Sequence, residues 1–246
     1  MKVLAIGNSF SEDALYYLHD ICQAAGISCK AVNLYIGGCS LKQHQENFMS
    51  GERAYEYQLN GMPQGRMVSS REVLEEEKWD YILTQQASHD SGLWETYEPW
   101  LTYFTEGLRR CCPEAEILLQ KTWAYEKDSS HDAFLRYHCS QEEMYEMLSI
   151  CYEKASQKTG VRLIPSADVI QAVRKEKGFR YELGEQSLCR DGFHMHMIYG
   201  RFLLGALLFS FLTENDIMGN SFLPVNARPE LIMIIKECIR KQSGKR

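Results

Sequence analysis

Short apolar runs alternate with stretches of helical periodicity along the whole chain, and that alternation restricts the fold more than any other feature. Runs of strand length lie at 2–7, around 29–36, at 79–85, at 115–121 and at 161–164. Trp79-Asp-Tyr-Ile-Leu-Thr84 and Glu116-Ile-Leu-Leu-Gln120 are typical of them. Helical spacing occupies about 11–25, 70–77, 99–111, 140–159, 166–176, 198–213 and 228–241. Gly26 and Gly160 follow helical stretches where a terminating glycine is expected. Pro229 stands in the first turn of the last helix, where a missing N–H costs nothing. Nearly continuous apolar strands alternating with helices predict an α/β domain whose parallel sheet is covered on both faces.

The 246 residues suffice for one such domain with a sizeable core. No repeat, low-complexity tract or linker divides the chain, so 1–246 is expected to form a single domain. The segment 44–69 fits neither period. Its Tyr55-Glu-Tyr57, Gly61-Met-Pro63 and Gly65 predict an excursion or small hairpin over the domain.

Charge and hydropathy exclude several functions. The net charge is −6, and basic residues gather only at Lys236, Arg240, Lys241, Lys245 and Arg246, which reads as a solvated helix end. Nucleic-acid binding through phosphate contacts is therefore not expected. The longest apolar run, Phe202 to Leu212, falls short of the roughly 20 residues that span a bilayer. It predicts a buried helix. One lysine and a few apolar residues at the start do not make a signal peptide, whose apolar region runs to about 7–15 residues. Nine cysteines without a CxxC pair read as reduced thiols, with Cys111-Cys112 as helix-end residues, so a cytoplasmic location is expected. Nothing in the pattern specifies an oligomeric state.

The chemistry concentrates at strand ends. The first run, Val3 to Ile6, breaks at Gly7, and Ser9 follows where a helix should begin. Such a side chain lies at the carboxyl edge of the sheet, where open α/β folds hold ligands. A serine in this place is also the usual helix cap. The far end of the chain supplies Asp191-Gly-Phe-His194. A hydroxyl nucleophile needs a base to take its proton and an acid to hold that base, and Ser9, His194 and Asp191 are those three types. The second strand ends in Gly37-Gly38-Cys39-Ser40, whose glycines let backbone N–H groups approach an anion. The third ends in Thr84-Gln85-Gln86-Ala87-Ser88 and the fourth in Lys121-Thr122-Trp123-Ala124-Tyr125. Trp123 and Tyr125 read either as a sugar-stacking platform or as core aromatics. His194-x-His196 beside Asp191 has a metal-like spacing, but no HExxH or second carboxylate cluster accompanies it. No metal or cofactor is expected, and His196 is placed near the rim of the site.

Gly7-Asn8-Ser9-Phe10-Ser11, Gly38 and Asp191-Gly-Phe-His194 together resemble the motif blocks of the SGNH (GDSL-like) hydrolases. The resemblance covers nearly the whole chain and implies a three-layer α/β/α sandwich of the flavodoxin type. It also implies Ser9 as nucleophile, His194 as general base and Asp191 as its orienting acid, with the N–H groups of Ser9 and Gly38 in the oxyanion hole. The family's third block, Gly-x-Asn-Asp, supplies a further donor from its Asn. Here that strand end carries no Asn, and Gln86 is the expected replacement, with Gln85 second. Asn8-Ser-Phe-Ser-Glu-Asp, Ile36-Gly-Gly-Cys-Ser-Leu41, Gln85-Gln-Ala-Ser and Thr122-Trp-Ala-Tyr resemble one branch of the superfamily, known mainly as a domain of unknown function in carbohydrate-degrading bacteria. The expected activity is hydrolysis of O-acyl esters, O-acetyl above all, on sugars or oligosaccharides, with Gln85, Trp123 and Tyr125 toward the substrate. Broader acyl ester or thioester hydrolysis, or a silent ligand-binding role, are the competing expectations.

Overall fold

A computed structural model describes residues 1–243. Lys245 and Arg246 of the basic tail lie outside the described residues. Five parallel strands form the body of one sheet: β1 (Lys2–Gly7), β2 (Lys30–Tyr35), β5 (Tyr81–Thr84), β6 (Glu116–Gln120) and β7 (Arg162–Ile164). Each coincides with a predicted run to within two residues. A hairpin, β3 (Tyr55–Leu59) and β4 (Met62–Val68), continues the sheet antiparallel beside β2. The order is β4-β3-β2-β1-β5-β6-β7. The chain thus leaves β1 toward β2 on one side and returns to β5 on the other. The carboxyl ends of β1 and β5 form the crevice where doubly wound sheets bind ligands.

Nine helices cover the faces among the described residues: α1 (Ser9–Leu15), α2 (Leu18–Ala24), α3 (Leu41–Ser50), α4 (Ser70–Glu76), α5 (Trp100–Cys111), α6 (Gln141–Thr159), α7 (Ser166–Arg174), α8 (Tyr199–Thr213) and α9 (Pro229–Ser243). Contacts join α1, α2, α7, α8 and α9 into one layer and α3, α4, α5 and α6 into the other. The result is a three-layer α/β/α sandwich. Helix α8 is buried around almost its whole circumference, as its unbroken apolar run requires. No helix among the described residues is long and apolar enough to cross a membrane.

Two elements differ from the expectation. The helix predicted over 11–25 is two helices, broken at Tyr16 and Tyr17. At that break Gly205 of α8 packs so closely that a Cβ would stand 3.3 Å from backbone atoms of Tyr17 and Leu18. The segment 44–69 completes α3 and then forms a small hairpin, one of the two alternatives expected there, which extends the sheet in plane rather than lying over the domain. Its turn, Asn60-Gly61, has φ of 51° and 79°, the left-handed pair that a two-residue hairpin demands.

Candidate active site

At the end of β1 the backbone turns within two residues into α1. Gly7 makes this possible, since a Cβ there would sit 2.4 Å from Ser11 Oγ. Asn8, not Ser9, caps the helix: its Oδ1 accepts from Phe10 N at 3.0 Å. Ser9 is therefore the first helical residue, partly exposed, with its hydroxyl free for other work. Its N–H is one of the helix-start donors that have no intrahelical acceptor.

Asn8 also joins three strand ends. Its Nδ2 donates to Cys39 O at 3.0 Å, holding the Gly37-Gly38 turn beside Ser9, and its Oδ1 accepts from Gln85 Nε2 at 2.9 Å. Gly38 has φ +64°, and Cys39 N donates to Ile36 O at 3.2 Å across the turn. That turn requires a left-handed residue at its third position, hence glycine.

His194 arrives from the opposite end of the chain. Its Nε2 lies 2.9 Å from Ser9 Oγ, and its Nδ1 lies 2.7 Å from Asp191 Oδ2. An ionised carboxylate only accepts, so Nδ1 carries the proton, and the bare Nε2 faces the serine hydroxyl. Asp191 Oδ1 accepts from His194 N at 2.8 Å and Phe193 N at 3.3 Å, so the acid fixes the backbone that carries the base. Burial raises the Asp191 carboxyl, but the ring and backbone donors of His194 outweigh it and hold the group below its ordinary value. Gly192, at φ +89°, lets this loop pass Ser129, whose Cα would be 2.9 Å from a Cβ there.

Other expected site residues are committed elsewhere. Gln86 is fully buried, and both ends of its amide are used. Its Oε1 accepts from Leu41 N and Ala87 N, and its Nε2 donates to Thr96 O and Oγ1, all between 2.9 and 3.0 Å. A primary amide has two N–H groups, so Gln86 has none left for an oxyanion. Gln85 lies buried beneath the Ser9 turn, bound to Asn8, rather than toward a substrate.

Trp123 and Tyr125 are each 0% exposed and form no platform. Trp123 stacks on Phe10 with centroids 4.0 Å apart and donates Nε1–H to Phe193 O at 2.8 Å. Tyr125 OH pairs with Ser88 Oγ at 2.9 Å. His196 accepts from Ile198 N at 3.2 Å through Nδ1, serving the start of α8. Asn8, Asp13 and Arg190 are the supporting residues that the sequence reading passed over. Each is adjacent to a motif residue or one helical turn from it, but only the fold shows what it holds.

The arrangement brings a serine hydroxyl to an imidazole that a carboxylate holds, a geometry able to activate the hydroxyl for acyl transfer. A family model described as a domain of unknown function, DUF4886, matches residues 2–237. A DUF4886 family protein from Bacteroides uniformis superposes with a TM-score of 0.91 at 33% identity, over 98% of this chain and 93% of that one. A protein from Slackia heliotrinireducens assigned to the SGNH hydrolases gives 0.59 at 19% identity, over 86% and 98%. A carbohydrate esterase family 3 protein from Talaromyces cellulolyticus gives 0.55 at 12%, over 87% and 97%. The last two likenesses show a common fold. No curated protein matches the chain by sequence.

Proposed function

The chain belongs to the DUF4886 family, and from its strand-end residues we propose that it is a serine esterase hydrolysing O-acyl groups, chiefly O-acetyl, on sugars or oligosaccharides. One observation carries the reading: the run of hydrogen bonds from Ser9 Oγ through His194 to Asp191, at 2.9 and 2.7 Å. Ser9 Oγ attacks the acyl carbon while its proton passes to His194 Nε2. The carbonyl oxygen gathers charge against the N–H groups of Ser9 and Gly38. His194 then gives the proton to the sugar oxygen as its bond to the acyl carbon breaks, releasing the sugar hydroxyl and leaving an acyl-serine. A water molecule, deprotonated by the same nitrogen, releases the carboxylic acid and restores Ser9. Asp191 stays ionised throughout and balances the imidazolium.

The sugar part of the proposal is supported by the motif resemblance and by the fold shared with a carbohydrate esterase. The nine cysteines are free thiols, in keeping with a reducing cytoplasm. The experiment is acetate release from acetylated monosaccharides and from acetylated xylan and mannan oligomers, with Ser9→Ala beside the wild type. Release is expected from the wild type and should fall by at least ~10³-fold in the variant. Fluorophosphonate labelling of Ser9 without acetate release would transfer the proposal to other acyl esters or thioesters. Wild-type turnover by Ser9→Ala would remove Ser9 from the chemistry.

A further inference from the structure

Asp13 lies one helical turn beyond Ser9 on α1, and its carboxylate is 0% exposed. A charge withdrawn from water must be paired and fully hydrogen-bonded to be tolerated. Its Oδ1 accepts from Arg201 Nε at 2.7 Å and Arg190 Nη1 at 2.9 Å, and its Oδ2 accepts from Met195 N at 2.8 Å. Arg190 and Met195 are the residues immediately before Asp191 and immediately after His194. The loop is also closed on itself at this point: Arg190 N donates to His194 O at 2.9 Å, and the Arg190 guanidinium donates to Met195 O. Both feet of the Asp191–His194 loop therefore stand on one buried carboxylate of the helix that carries Ser9.

The loop needs such an anchor. It belongs to no helix or strand, and the Asp191 side chain is 42% exposed. Solvent-exposed pairs hold their geometry weakly; Trp123 Nε1 and Glu126 N steady the middle of the loop through the carbonyls of Phe193 and Gly192, at 2.8 and 2.7 Å, and Asp13 fixes its two ends. The geometry points to Asp13 and Arg190 as positioning residues that hold the base against the nucleophile, an inference resting on the esterase reading. Arg201 completes the cluster from α8 and lies over the Tyr16 ring at 4.0 Å, tying the same carboxylate to the helix layer.

The test uses Arg190→Met, which keeps the stem and removes the guanidinium, and Arg190→Lys, which keeps the charge without the fork. The melting temperature of each is recorded first, and 4-nitrophenyl acetate serves as the probe ester. Arg190→Met should lower kcat by about 100-fold, the scale of an ångström of misplacement, with KM unchanged within about 3-fold and part of kcat restored in Arg190→Lys. Adding Asp13→Asn to Arg190→Met should cost little more than the poorer single change, because the two residues form one device. Amide hydrogen exchange over 190–196 should speed up in Arg190→Met while β1 keeps its protection. A folded Arg190→Met with wild-type kcat, or unchanged exchange over 190–196, would overturn the inference. Should Arg190→Met fail to fold, Arg190→Lys decides by the same two measurements. A wild type that neither hydrolyses esters nor labels at Ser9 would end the esterase reading, and exchange alone would then decide the anchor.

Discussion

Trp123 touches the neighbours of both Ser9 and His194: its ring lies on Phe10, which follows Ser9, and its N–H holds the carbonyl of Phe193, which precedes His194. It stands as a spacer between Ser9 and His194, reached through the core. Trp123→Phe keeps a ring and loses the hydrogen bond, so kcat should fall by ~10-fold with KM unchanged. Trp123→Ala should destabilise the protein by ~3–5 kcal/mol in urea unfolding. A raised KM alone would return the ring to the substrate. Gln86→Ala should cost ~2 kcal/mol of stability, since it strands partners at Leu41, Ala87 and Thr96. Its kcat/KM should stay within about 3-fold of wild type, whereas an oxyanion donor would be worth ~10²-fold or more. The residue type of Gln86 was legible in the sequence. Its engagement was not, because its partners come from α3 and from residue 96.

Helix α3 shows why an element can be present and unreadable. Its caps are visible in the sequence: Ser40 accepts from Gln43 N at 3.3 Å, and Gly51 ends it at φ +70°. Its buried face is not, because His44, Gln45 and Asn47 share it with Leu41 and Phe48, and polar residues there erase the apolar period. The Asn60-Gly61 pair, by contrast, is a strong hairpin signal whose flanking strands alternate too weakly to stand out. His44 is stacked between Tyr55 and Phe104, and burial pushes its pKa down to about 3. The unfolded chain takes up a proton at His44 below ~6.5 that the folded one refuses. Its contribution to stability is therefore complete above that pH and is lost as pH falls toward about 3. Between pH 6.5 and 5 this amounts to about 2 kcal/mol. His44→Phe should remove that much of the pH dependence, read from urea midpoints at pH 7 and pH 5. An equal dependence in both proteins would mean that the native state admits the proton.

Across the whole molecule, the alternation of short apolar runs with helical spacing carries the layered architecture, because each parallel strand must be followed by a crossover. The site depends on contacts of another range. Ser9 and His194 are 185 residues apart in sequence, and Asp13 and Met195 are 182 apart. No local pattern reports such pairings; Asp191-x-x-His194 could be matched to Ser9 by residue type and by its resemblance to a motif, but no spacing in the sequence shows the contact. Non-local pairing is also slow to form, and chains of this size collapse before they finish packing. In refolding from urea, far-UV ellipticity should therefore recover before fluorophosphonate labelling of Ser9. Simultaneous recovery would show the strand-end loops settling together with the sheet.

A sheet that closes slowly has time to meet copies of itself, and β4 is one of the two rims it would offer. That strand carries Pro63, which has no N–H to give, and its pairing with β3 is interrupted by a shift at Tyr57 and Gln58. Arg66 turns from the rim to Glu72 and Glu76 on α4, setting charge along the edge. Stacking of strands between molecules finds no continuous ladder along this border.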